Sequence, residues 1–134
     1  MPRPDSPINQ VLDSAVAHYR AGDLSQAEAL CQQALQAQPQ SARALHLAGL
    51  INKQNGGLAS AIALLSRANQ AEPHNPFILR DLAEAHRQNG DAASALPLLR
   101  LAIERAPELP DLYSALGLCF EAGGDFAGAV RAHA

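Results

Sequence analysis

An all-α array of antiparallel helix pairs is the fold this sequence predicts, and three observations predict it. First, alanine (28) and leucine (20) fill over a third of the 134 residues, while Val and Ile together number eight and Thr is absent. Alanine and leucine are strong helix formers, whereas a sheet draws on the β-branched residues that are scarce here. Second, the chain repeats: Gly22, Gly56, Gly90 and Gly124 are spaced 34 apart, and so are Ala27, Ala61, Ala95 and Ala129. Third, the first three units close on the same punctuation, with Ala34, Ala68 and Ala102 followed by Pro39, Pro73 and Pro107 at the same step. The period divides the chain into units 8–41, 42–75, 76–109 and a truncated 110–134, about three and a half repeats in all. Residues 1–7 form a proline-rich start that is expected to be disordered.

Each unit reads as helix, turn, helix. In the second unit the first helix, about Ala42 to Asn55, puts Leu45, Ala48, Gly49 and Asn52 on one face. Gly56 ends it, because glycine enters the left-handed conformation without strain. The next residue in the other units is Asp23, Asp91 or Asp125, placed to cap the second helix by accepting free backbone N–H groups. That second helix turns Ala61, Leu64, Leu65 and Ala68 inward and ends where Pro73 cannot continue it. Small residues recur at the eighth place (Ala15, Gly49, Ala83, Gly117) and at the twentieth (the four alanines), so paired helices approach closely. A leucine at Ala61 is therefore expected to overpack the pair, at about 1–3 kcal/mol. Pro97 falls inside the second helix of the third unit, where a local bend is expected without loss of the repeat.

Composition excludes several functions. A formal charge of −3 and a pI near 5.9 argue against a generally basic nucleic-acid binder. Cys31 and Cys119 are far apart, with no CxxC and no histidines at zinc-finger spacing. Disulfide framework and structural metal are both disfavoured, and a reducing compartment, the cytoplasm, is the simpler expectation. No apolar signal core opens the chain and no long apolar run spans a membrane. No phosphate-binding loop, GxSxG, HExxH or GxGxxG stretch exists, and Gly123-Gly124 reads as a helix-ending turn. Glu84 and His86 are two apart on a helix and face different ways, so they form no acid–base pair. His18 and His86 occupy equivalent packing places and read as core substitutes for tyrosine, and Cys31 and Cys119 read as small buried hydrophobes. The chain offers no catalytic constellation, no metal ligands and no cofactor site.

The landmarks together resemble the tetratricopeptide repeat, whose 34-residue signature is W-x2-L-G-x2-Y…A-x3-F…P. The eighth, fifteenth, twentieth, twenty-seventh and thirty-second places fit. The bulky places depart from it, with Val11, Leu45, Leu79 and Tyr113 where Trp is common, and His18, Asn52, His86 and Phe120 where Tyr is common. The resemblance covers 8–134 and implies a right-handed superhelical solenoid whose first helices line a concave groove. In that family the groove takes extended peptides or partner helices.

Carried over place by place, the resemblance puts Leu12, Val16, Tyr19 and Arg20 in the groove from the first unit, and Arg43, His46, Leu50 and Lys53 from the second. Phe77, Arg80, Glu84 and Arg87 follow from the third, with Leu118 from the fourth. Basic residues gather in the middle of this lining and acids toward the C-terminal end. The expected ligand is a protein or peptide segment, apolar and carrying carboxylates, gripped by arginines such as Arg43 and Arg80. The carboxylate clamp of chaperone-binding relatives is missing, since its places hold Leu12, Val16, Leu50, Phe77 and Asp81. The asparagine ladder of sugar-transferring relatives is missing too, its places holding Asp13, Leu47, Asp81 and Ala115.

The fourth unit stops at Ala134, before its alanine and proline landmarks, which would leave Phe126, Ala129 and Val130 under-covered. The expectation is a piece of a larger protein; self-association through that end, or simple fraying, are the alternatives. Ala/Leu-rich repeats of this bacterial-looking kind resemble those preceding sulfotransferase, glycosyltransferase or methyltransferase domains. Two functions therefore stand open: a stand-alone interaction scaffold, and a substrate-recruiting or oligomerising module of a larger enzyme.

Overall fold

Helix-forming composition and the 34-residue step appear directly in the computed structural model, which describes residues 7–122. Seven helices and no strand occur among the described residues: α1 (Pro7–Arg20), α2 (Leu24–Ala37), α3 (Ala42–Gln54), α4 (Leu58–Ala71), α5 (Pro76–Gln88), α6 (Ala92–Arg105) and α7 (Pro110–Ala122). The first residues of α2, α4 and α6 are 34 apart, as are those of α3, α5 and α7. Pro7 opens α1, one residue inside the segment expected to be disordered; proline suits a first helical turn because its missing N–H would be unpaired there. The expectations for residues 1–6, for Gly123-Gly124, for the cap at Asp125 and for Phe126, Ala129 and Val130 lie outside the described residues.

Turn chemistry explains the boundaries. Gly22, Gly56 and Gly90 all have φ near +80° (85°, 84° and 79°). Each turn is closed by the same two backbone bonds. The N–H of Asp23, Gly57 and Asp91 donates to the carbonyl of His18, Asn52 and His86 at 2.8–2.9 Å, while the glycine N–H donates one residue further along. Asp23 and Asp91 then cap α2 and α6, accepting from the N–H of Gln26 and of Ser94. The Ser94 hydroxyl also donates to Asp91, and these bonds hold the Asp91 carboxyl below the usual carboxylate range. Gly57 replaces the aspartate in the second unit and supplies no such side chain. α6 runs uninterrupted through Pro97, whose ring is exposed, so the repeat is retained.

The chain divides after Ala71 into two compact units. In the first, α1 packs on α2 and α3 on α4, while α2 lies against α3 and α1 beside α3. Its interior is made of Leu12, Ala34 and Ala44 at one level and Ala15, Ala27, Cys31, Leu47, Ala48 and Ile51 at another. The small residues set the spacing: a Cβ on Gly49 would sit 2.7 Å from Leu65 Cγ and 3.4 Å from the Ala61 carbonyl oxygen. Ala61 itself is 0 % exposed. In the second unit α5 packs on α6 and α6 on α7, with α7 beside α5. Leu79, Leu99, Leu112, Leu116 and Cys119 fill it, together with buried alanines.

Candidate functional site

The first helices of the first unit, α1 and α3, present a cleft of about 210 Å³ lined by Val16, Tyr19, Arg20, Arg43, His46, Leu47 and Leu50. The helical period explains the grouping. Val16, Tyr19 and Arg20 recur at spacings of three and four on α1, as do His46, Leu47 and Leu50 on α3. The floor is aliphatic, with Leu47 only 6 % exposed. Gln54 Nε2 donates to the Tyr19 hydroxyl at 3.1 Å and so ties together the last turns of α1 and α3. Six of these seven residues carry the groove expectation from sequence. Leu47 does not, although its signal was available: leucine stands where the first and third units have Asp13 and Asp81.

Leu12 corrects that expectation. It is 1 % exposed and packs against Ala34 and Ala44, so it belongs to the core and no ligand can reach it. Its equivalents His46 and Arg80 carry longer polar side chains that reach the surface, whereas a leucine at this place gains more by turning inward. Lys53 is half-buried in the last turn of α3, one turn beyond Leu50.

In the second unit, Phe77 and Leu118 are exposed at 48 % and 47 %. The Arg80 guanidinium lies 5.4 Å from the centre of the Phe77 ring. Arg80 is also held by two carboxylates, at 3.1 Å from Asp81 Oδ1 through Nε and 3.1 Å from Asp111 Oδ2 through Nη1. Arg87 forms a two-pronged contact with Glu84, its Nε 3.0 Å from Oε2. This hydrogen bond is the main reason the Arg87 guanidinium holds its proton even more firmly than usual. Arg43 is likewise engaged, 2.6 Å from Asp13 Oδ1. Arg43, Arg80 and Arg87 thus already have carboxylate partners within the chain. A ligand carboxylate would have to displace these; the exposed Arg43–Asp13 pair is worth only about 0–1 kcal/mol, whereas Arg80 and Arg87 are held in part-buried pairs.

The histidines expected as core substitutes behave differently. His18 Nδ1 lies 3.2 Å from the Asp23 carboxylate and His86 Nδ1 3.9 Å from that of Asp91, so both turn toward the helix-capping aspartate, and both are only half-buried. Cys31 and Cys119 are each 1 % exposed and free. Among the described residues no three His, Cys, Asp or Glu side chains are placed to hold a metal, and no helix is long and apolar enough to cross a membrane.

A second cavity, about 150 Å³, is lined by Glu28, Cys31, Leu35, Ile51, Asn52 and Leu64 among others. It adjoins Asn52, at the place where the signature has the larger tyrosine. Burial foremost, and Glu28 next, push the Cys31 thiol up from 9.0 to about 11. A raised folded-state value means that the thiol's contribution to stability is complete below pH 9 and is lost as pH rises through about 11. Urea denaturation across that window is expected to show a steeper loss of stability for wild type than for Cys31→Ala. Parallel pH profiles would contradict the assignment.

Two sequence profiles described as Tetratricopeptide repeat match residues 12–76 and 53–119. No curated protein matches. Among solved structures, the chain is similar to a mutant of the Thermobaculum terrenum O-GlcNAc transferase, with 28% identity and a TM-score of 0.82. That match covers 90% of this chain and 23% of the transferase, so the chain spans under a quarter of that protein. Two structures of MamA match at 20% identity with TM-scores of 0.86 and 0.85. They cover 95% and 94% of this chain, and 74% and 69% of theirs.

Proposed function

Because the chain belongs to the tetratricopeptide repeat family, we propose that it is a non-catalytic interaction scaffold that holds a protein segment, an extended peptide or a partner helix, against its first helices. Repeats of this kind present side chains from successive first helices to a partner. The α1–α3 cleft carries the reading: an aliphatic floor ringed by polar and cationic side chains is the arrangement that anchors one apolar side chain of a ligand and orients it. No cofactor, metal, nucleic acid or membrane enters this reading, and the reducing cytoplasm suits two buried free thiols.

A second reading makes the chain a recruiting or oligomerising module of a larger enzyme. The similarity to the O-GlcNAc transferase, covering 90% of this chain at 28% identity, favours it. Both readings use the same wall. Selection of a random displayed peptide library against wild type and against Val16→Ser/Leu50→Ser tests them together. Enrichment on wild type that disappears on the variant is expected. No enrichment, or equal enrichment on both, would count against peptide recognition at this wall.

A further inference from the structure

The ionised side chains of the first helices differ sharply between the two units. On α1 and α3 the cations Arg20, Arg43 and Lys53 face one carboxylate, Asp13, a surplus of two positive charges. On α5 and α7 the carboxylates Asp81, Glu84, Asp111 and Glu121 outnumber Arg80 and Arg87, a surplus of two negative charges. Asp13 is taken by Arg43 at 2.6 Å. Arg20 and Lys53 make no ion pair among the described residues. Arg20 lines the cleft and is exposed. Lys53 follows Leu50 by three positions, which puts it on the same helical face one turn on. The Tyr19–Gln54 hydrogen bond joins the residue before Arg20 to the residue after Lys53, so the two cations sit on adjoining helix ends.

Resting on the peptide reading above, we propose that the first unit recognises an acidic peptide segment. Its aliphatic or aromatic side chain lies on Val16, Leu47 and Leu50, and its neighbouring carboxylate pairs with Arg20 and Lys53. In other proteins an enclosed apolar cavity of about 150 Å³ holds a benzene ring, and this open cleft of about 210 Å³ has room for a leucine or phenylalanine side chain. Charge complementarity selects the sign of the neighbour. An aspartate or glutamate meets two cations with no carboxylate to displace, whereas a lysine meets like charge. Arg80 is already held by Asp81 and Asp111, so the anion is assigned to Arg20 and Lys53.

Three sets of fluorescein-labelled synthetic peptides test this, each with a central Leu or Phe flanked by Asp/Glu, by Asn/Gln or by Lys, and read by fluorescence anisotropy at low and high salt. The acidic set is expected to bind best and to weaken with salt. Arg20→Gln/Lys53→Gln is expected to lose about tenfold in affinity for that set and most of the salt dependence, with an unchanged circular dichroism spectrum. Arg100→Gln, which removes a positive charge from α6, is expected to bind within about twofold of wild type. The inference is overturned if the amide or lysine set binds as tightly as the acidic one, or if Arg20→Gln/Lys53→Gln binds like wild type. Such binding, if still lost in Val16→Ser/Leu50→Ser, would leave the peptide reading standing without its acidic preference. Binding by no set would overturn the inference, and the library selection would then decide the peptide reading separately.

Discussion

Leu79→Ala is expected to cost about 3–5 kcal/mol, the largest loss from any single truncation in the second unit. Leu79 is 0 % exposed and packs where α5, α6 and α7 converge, in the cluster that includes Leu99, Leu112, Leu116 and Cys119. Truncation removes the three heavy atoms beyond Cβ and leaves a void that flanking alanines are too small to fill. Domains of ordinary size have only about 5–15 kcal/mol to lose. Urea denaturation followed by circular dichroism measures the shift. A loss under about 1 kcal/mol would mean that the packing around Leu79 is not the one described.

Gly49→Leu is expected to destabilise the first unit by about 3 kcal/mol, through overpacking rather than a void. The pair α3–α4 is already at its limit, since even a methyl on Gly49 would lie 2.7 Å and 2.9 Å from two atoms of the Leu65 side chain. Gly49→Ala is expected to fall within about 1 kcal/mol of wild type. The gain of about 1 kcal/mol in helix propensity offsets the shift demanded of Leu65, and the equivalent places hold Ala15 and Ala83. Ala61→Leu presses on the same contact from α4. The double variant Gly49→Leu/Ala61→Leu should therefore cost less than the two single losses combined, because both pay for one separation of the helices. Additive losses would place the two residues in separate contacts.

The sequence carried the backbone further than the side chains. A turn demanding φ near +80° admits few residues other than glycine, so Gly22, Gly56 and Gly90 marked three helix ends by type alone. Asp23 and Asp91 announced the caps in the same way, because a short carboxylate next to a turn has one favoured use. Place-by-place reasoning stops at the rotamer, however. It put Leu12 on the binding wall although it packs inward, and it passed over Leu47, which floors the cleft. It also counted Arg43 and Arg80 as hands held out to a ligand. Their partners Asp13 and Asp111 lie 30 and 31 residues away in sequence and become neighbours only once adjacent first helices stand side by side. The histidines show the same limit. His18 and His86 occupy the tyrosine place, yet each turns toward the aspartate five residues on, a contact set by the turn between them.

Recognition through the first helices is tested most directly by titrating the isotope-labelled chain with the acidic, leucine-centred peptide and following its backbone amide resonances. The account predicts shifts concentrated on α1 and α3, from Val16 to Arg20 and from His46 to Lys53, with α2 and α4 nearly still. Shifts confined to α2 and α4, while α1 and α3 stay unchanged, would contradict it.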